Sequence, residues 1–544
     1  KSFPLLTPLS SGARRRYGAR AGLDGHALGP HRHCRVMRRL LLLLAALRAA
    51  VAGGPFCGAG DVCFAIGEQP VSNERRREAV RAALQHAWWG YSRFAWGADE
   101  LLPHAQSARN WTSNRSLGLT IVDSLDTLWL MNMHEDFHRG VEWVERHLTF
   151  DTNVFVNLFE ISIRCLGGLL SAFHLSGDAA LLDKARELGS RLMPGLESST
   201  SGVPFSDVNL RTGIAEAVAR DSSLSEATSI QLEFKYLSNV TGEARYASEA
   251  DEAMEAVFRA SKTLQSEVRH VLPLFISPVT GQFRAGVVSL GARGDSYYEY
   301  LLKQFLLSGK KAVKFRAAYL DAVDAIKTHL VRTTKHRSRF FVGELHGASG
   351  GFHAKMDHLV CFLPGTLALG VLHGIGRSPA DLRETLELAE ELMETCYQLY
   401  NSTPTGLGPE IAHFETAELG KPSKGQPTKD ADIFIKHADA HYILRPEVVE
   451  SLFLLHRATG HQKYRDYGWR IFEAIEQYCR VPTGGYAGVN NVLNREFPGV
   501  RDNMETFFTG ETLKYLFLLF SSEDALDLHD NVLSTEAHIF PIFS

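Results

Sequence analysis

The stretch NLFEISIRCLGG, residues 157–168, sets a carboxylate and a guanidinium, Glu160 and Arg164, one helical turn apart in a run otherwise apolar or small. Residues at i and i+4 share a helix face, so Asn157, Glu160, Arg164 and Gly168 make a polar stripe between apolar flanks. Such a helix is buried on both sides, and its stripe must meet a neutralising partner or a wet internal cavity, because an unpaired buried charge costs several kcal/mol or more. Three other apolar segments repeat the pattern. GARGDSYYEYLLKQFLL carries Arg293, Asp295 and Glu299; ILRPEVVESLFLL carries Arg445, Glu447 and Glu450; RDNMETFFTGETLKYLFLLF carries Glu505 and Glu511. Pro446 opens its helix and leaves Glu447 at the N-terminal end, where the dipole favours a carboxylate, with Glu450 on the same face. One such cluster is an ordinary structural ion pair. Four, in four separate apolar helices, point to a shared polar cavity. Paired carboxylates in a wet pocket suit glycoside hydrolysis: one protonates the leaving oxygen and one activates water.

The elements that must position these residues are helical. Val80, Leu84, Trp88, Tyr91 and Ala95 recur at three- and four-residue steps behind a Ser72/Asn73 cap. Similar periodicity predicts helices near 120–131, 135–147, 154–175, 178–192, 224–239, 244–262, 293–308, 311–331, 355–374, 379–400, 446–459, 463–479 and 503–520, which makes roughly fourteen. Turns at Ser176-Gly177-Asp178, Thr241-Gly242-Glu243 and Thr459-Gly460-His461 each stop one helix and start the next. No βαβ alternation and no long Pro/Gly linker interrupts the run, so one domain of paired helices is expected. Paired helices can close a ring whose inner members turn their polar stripes to a lumen. Residues 415–431, ETAELGKPSKGQPTKDA, read as a long exposed loop.

Composition bounds the function. With 58 Lys+Arg against 62 Asp+Glu, the net charge is −4, which is no nucleic-acid footprint. Residues 1–36 are left unassigned. From Met37, MRRLLLLLAALRAAVAGG reads as a signal peptide or signal-anchor over 37–52, the only membrane contact expected. Residues 53–73 then form a linker and 74–544 the helical domain. Sequons at Asn110, Asn114, Asn239 and Asn401 fit the secretory pathway. Cysteines at 57, 63, 165, 361, 396 and 479 are too sparse for a disulfide framework; one or two bridges fit an oxidising lumen, and free buried thiols are the simplest reading of the rest.

KMDHLVCFLPGTLALGVLHG, LRPEVVESLFLL, NMETFFTGETLKYLFLLF, STEAH and the opening stripe together resemble glycoside hydrolase family 47, the class I α-1,2-mannosidases, in colinear order from about residue 74 to 542. The resemblance implies an all-α fold, an (α/α)7 barrel of paired inner and outer helices. It implies a calcium-dependent inverting hydrolase of terminal α-1,2-linked mannose on high-mannose N-glycans, resident in the endoplasmic reticulum and serving glycoprotein quality control. By that likeness Glu447 is the general base, Glu160 the general acid acting through a water, and Asp295 the third catalytic carboxylate. Delivery of the proton stays open between Glu160 and Asp295. STEAH gives Thr535 as the Ca2+ ligand. Arg164, His358, Glu410, Arg445, Glu450, Phe507, Glu511 and Glu536 are expected around the terminal sugar or the metal's waters, with Glu226 and Arg293 along the glycan branch. His358 reads equally as a satisfied core histidine, and Arg293 as an ion-pair partner of Asp295 or Glu299. In the family an arginine at the place of Arg293 goes with removal of mainly one middle-branch mannose. Cys361 and Cys396 match the family's disulfide. Val218 stands where relatives can carry a sugar-stacking Trp. Two other readings stay open. A glycan-binding receptor of the degradation-enhancing mannosidase-like kind would keep the pocket without the carboxylates, and a helical-repeat scaffold would put its polar stripes on an outer groove.

Overall fold

The computed structural model describes residues 71–112, 115–217, 220–265, 269–347 and 351–544. The unassigned segment, the signal or anchor, most of the linker, Asn114 and Val218 lie outside the described residues.

Helical runs alternate between two kinds. One kind is buried round most of its surface: α2 (Leu119–Leu130), α4 (158–176), α6 (224–241), α8 (Asp295–Leu307), α10 (358–372), α12 (Glu447–Thr459) and α14 (508–520). The other buries one stripe and shows the rest to solvent: α1 (Asn73–Phe94), α3 (His134–His147), α5 (Ala179–Leu192), α7 (Ala244–Ser261), α9 (Val313–His329), α11 (Pro379–Asn401) and α13 (Gln462–Tyr478). Helix α8 buries every residue from Ser296 to Leu307, whereas α3 buries only Phe137, Gly140, Val141 and Val144. A helix apolar all round belongs inside other helices. The mostly buried runs pack on one another in chain order and α14 returns to α2, closing an inner ring of seven. The amphipathic runs wrap it, with α1 seated on α14. This is the (α/α)7 barrel. The segment Leu158–Ser176 has the length and apolarity to cross a membrane, but it is an inner stave of this ring.

Connections sort by end. Tight turns run from each inner helix into the next outer one, through Gly177, Gly242 and Gly460 with left-handed φ of 72°, 74° and 71°; only glycine takes that conformation without strain. The long connections, 148–157, 193–223, 262–294, 330–357, 402–446 and 479–507 among them, lead from outer helices to the N-termini of inner ones. The inner N-termini therefore share one end of the barrel with all the long loops. The 415–431 segment belongs to these loops and is mostly exposed, although Gln426–Pro427 pairs as an edge strand with Ile433–Ile435.

The opposite end is closed by a hairpin, strands Asn531–Leu533 and Ile539–Pro541, whose tip 534–538 enters the ring. Four inner helices hold it. Lys514 Nζ of α14 donates to the Ala537 carbonyl at 2.8 Å, Lys303 Nζ of α8 to the Ser534 carbonyl at 3.3 Å, and the Ile539 amide to Ser171 Oγ of α4 at 2.8 Å. His538 lies 2.9 Å from Asp126 and 3.2 Å from Asp123, both on α2 and, like His538, wholly buried.

Candidate active site

Glu160 stands in the first turn of α4, where Asn157 caps the helix by accepting from the Glu160 amide at 3.0 Å. Asp295 and Glu447 are the first residues of α8 and α12, His358 opens α10, and Glu226 lies in the first turn of α6. Because inner N-termini share one end, residues far apart in sequence meet in one mouth. The chain also departs from plain α geometry there. Ser162–Leu166 and Phe508–Thr512 are π-helical turns, carrying Arg164 and Glu511. A π turn holds an extra residue and re-aims the side chains on it, a recurrent device at functional sites.

Arg164 ties the floor together. Its Nε donates to Glu160 Oε2 at 3.2 Å, its Nη1 meets Glu536 and lies 3.8 Å from Asp123, and its plane lies 5.4 Å from the Trp111 ring and 5.8 Å from that of Phe507. Burial alone would lower its pKa, but the carboxylates of Glu536, Glu160 and Asp123 hold it above the usual arginine value. Gly168, the last member of the sequence stripe, does not face the lumen: a Cβ there would meet the Val122 carbonyl of α2 at 2.5 Å.

Across the mouth, His358 Nδ1 lies 2.6 Å from Glu447 Oε2, so this histidine serves a carboxylate rather than an inert core. Arg445 grips Glu410 with two bonds of 2.8 and 2.5 Å and reaches Glu447 Oε1 at 3.5 Å. Burial would raise Glu447, yet His358 and Arg445 keep it below the usual carboxylate range. Asp295 is the opposite case. Burial, reinforced by Glu299 and Glu447 and opposed by the Ser225 hydroxyl at 2.7 Å, pushes it up to about 7. Glu226 is held by a capping box with Ser223 and by Asn157 Nδ2 at 2.8 Å. Arg293 is exposed, has a left-handed φ of 79°, and lies 5.3 Å from the Phe275 ring. The ion pair open to it in sequence goes elsewhere, for Glu299 pairs with Lys303.

Below the mouth, Thr535 is half-buried at the hairpin tip, its amide donating to Tyr300 at 3.4 Å. Around it the carboxyls of Glu299, Glu450, Glu511 and Glu536 outnumber the cations Lys303 and Arg164. Burial first, and then mutual repulsion, drives Glu511 up, and burial raises Glu450 and Glu536 against the pull of Lys303 and Arg164. Oxygen donors beside surplus negative charge fit a hard divalent cation. Among the described residues no three His, Cys, Asp or Glu side chains gather as direct metal ligands, so such an ion would lean on Thr535, water and bound hydroxyls.

Sequence reasoning did not find Asp123, Asp126, Lys514 and His538, the buried network that fixes the hairpin. Its signal was present in GLTIVDSLDTLWL, two carboxylates at i and i+3 in an apolar helix. Cys361 and Cys396 are joined, with Cα atoms 5.8 Å apart, while Cys165 and Cys479 are free and buried.

A sequence model of glycosyl hydrolase family 47 matches residues 83–542. The chain belongs to that family. Endoplasmic reticulum mannosyl-oligosaccharide 1,2-alpha-mannosidase of Rattus norvegicus is 49% identical over 484 residues, covering 88% of this chain and 70% of that protein. The Homo sapiens protein of the same name is 48% identical over 479 residues, covering 87% of this chain and 65% of that one. The solved alpha-1,2-mannosidase from Trichoderma reesei superposes with a TM-score of 0.79 at 28% identity, over 87% of this chain and all of that one. The family 47 barrel thus accounts for the ring.

Proposed function

We propose that this protein hydrolyses terminal α-1,2-linked mannose from high-mannose N-glycans, with inversion, with Ca2+ at Thr535, and with preference for one middle-branch mannose. The observation that carries the reading is the divergence of Glu447 and Asp295, two carboxyls of one cavity, one held ionised and one pushed toward neutrality. Groups driven apart in this way divide base and acid work between them. Glu447 takes a proton from water as the water oxygen bonds to the anomeric carbon, and an acid returns a proton to the departing glycosidic oxygen. The raised carboxyl of Asp295 supports it as that acid, while Glu160, bonded to Arg164, orients the floor. Phe507 offers the sugar an apolar face. Glu226 and Arg293 stand along the loops where an outer branch would lie. The Thr535 carbonyl and hydroxyl would hold calcium, which supplies orientation and polarisation of sugar hydroxyls. A glycan receptor would need the pocket without these carboxylates. The names of the relatives, the disulfide and the exposed asparagines at 110, 239 and 401 support residence in the endoplasmic reticulum.

The test is incubation with a pyridylaminated high-mannose glycan. Mannose release that needs calcium, with the β anomer formed first by NMR, is expected. Binding without release, or the α anomer first, would overturn the reading.

A further inference from the structure

The base dyad does not end at His358. The other ring nitrogen, Nε2, lies 2.6 Å from the Tyr400 hydroxyl, as short as the bond from Nδ1 to Glu447. Tyr400 comes from an outer helix, α11, and its ring lies 5.6 Å from that of His358 at 64° and 5.9 Å from that of Tyr442 at 80°, so packing fixes where its hydroxyl points. It is 1% exposed. On its far side is a polar cavity of about 300 Å³, lined by Asn401, Lys429 and Arg470 and separate from the mouth where the mechanism places the sugar. Tyr400 therefore touches the base's partner from behind.

Resting on the hydrolase reading above, we infer that Tyr400 is a positioning residue: it donates its hydroxyl proton to His358 Nε2, fixing the tautomer whose Nδ1–H donates to Glu447 Oε2. Which nitrogen of a histidine carries the proton is set by the bond its other nitrogen makes. With Nε2 occupied as an acceptor, Nδ1–H faces the carboxylate, and Oε1 of Glu447, 3.5 Å from Arg445, is left to take the proton of the attacking water. Burial, with Glu447 nearby, drives the Tyr400 phenol well above its ordinary value, so it stays a donor throughout the working pH range. The titratable groups facing this chain are Glu447, Glu410, Arg445, Tyr442 and Cys479. Arg445 and His358 favour an ionised Glu447, and of these two only the histidine touches Tyr400.

Two variants pull the bond in opposite directions. Tyr400→Phe removes the donor and weakens the pull of His358 on Glu447. The acid limb of kcat/KM should move up by about half to one pH unit, with kcat down about tenfold and KM unchanged, because Tyr400 does not reach the glycan. Replacing Tyr400 by 3-fluorotyrosine keeps the hydroxyl and makes it a stronger donor, so the limb should move down and kcat should hold. A folded Tyr400→Phe with an unmoved acid limb overturns the proposal, whatever its kcat. If that variant does not fold, an unmoved limb in the fluorotyrosine protein overturns it instead. The wild-type digest separates this from the activity reading. Should no mannose be released, the 15N shifts of labelled His358 still decide the bond: an acceptor-type Nε2 supports it, and a protonated Nε2 beside a bare Nδ1 refutes it.

Discussion

Glu447 and Asp295 share one cavity, yet their neighbours set opposite tasks for them. In the proposed reaction Glu447, held down by His358 and Arg445, would be ionised and take a proton, and Asp295, raised to about 7, would be protonated and give one. The kcat/KM profile should therefore be a bell that falls on the acid side below the usual carboxylate range and on the basic side near pH 7. Glu447→Gln should lower turnover by about 10²–10⁴ while glycan binding, read by calorimetry, survives. Asp295→Asn should erase the basic limb, and a limb that stays would return the acid role to Glu160. Arg293 has its guanidinium free over Phe275 and five donors in a rigid fork, able to hold several hydroxyls at once. Arg293→Leu should leave a small α-1,2-mannobiose cleaved as before but broaden trimming of the full glycan; unchanged branch order in a timed digest would remove Arg293 from substrate choice. The sequence clusters located most of these residues because a charge inside an apolar helix needs a reason. Unequal ionisation was not legible there, since it comes from burial and from partners such as Ser225 and Arg445 on other elements.

At the scale of elements, the inner helices meet at close-packed glycines and through buried ion networks. A Cβ on Gly168 would strike the Val122 backbone, which cannot step aside as a side chain can. Gly168→Ala should cost about 1–3 kcal/mol by overpacking, seen as a lower melting temperature. In the hairpin network, burial would lower the pKa of His538, but Asp126 and Asp123 carry it up to about 9, and Lys514 and His538 hold Asp126 at about 2 against burial. A histidine raised in the folded state contributes stability that is full below about pH 6.5 and is lost as pH climbs through about 9. With calcium saturating, the protein should lose melting temperature across that window. His538→Gln should be less stable at pH 6 by about 3–5 kcal/mol and show a shallower slope above it; equal slopes would exclude His538 as the titrating group. Helix existence was legible because apolar periodicity and Gly stops survive in the chain. The π turns at Ser162–Leu166 and Phe508–Thr512 were not, for one extra residue leaves the apolar flanks of each run unbroken. Nor was the hairpin plug, whose partners lie on α2, α4, α8 and α14.

The described residues form a ring that collects acids at one end, and that arrangement carries a cost. Seven inner helices point their N-termini into the same mouth, and the tip of the hairpin rises beneath it with Thr535. Helix dipoles favour the carboxylates nearest them, yet Glu450, Glu511 and Glu536 remain raised by burial and, at Glu511, by the other two. A divalent cation at the Thr535 oxygens would let these groups ionise, and binding it would displace their protons. Metal affinity should then rise with pH between about 6 and 8. Calorimetric titration of calcium into the chelator-treated protein, in two buffers of different ionisation enthalpy, should show proton release that shrinks as pH rises. An ion bound only to the native ring, at about a hundred times its Kd, should stabilise the fold by about 2.7 kcal/mol, and EDTA should lower the melting temperature as it stops hydrolysis. Thr535→Ala should lose the hydroxyl oxygen and weaken calcium binding while leaving the apo protein's melting temperature near that of the wild type, since the side-chain hydroxyl serves the ion and the hairpin is held by Lys303, Lys514 and His538. Calcium that binds without releasing protons, or with equal affinity to Thr535→Ala, would place the ion elsewhere than among these acids.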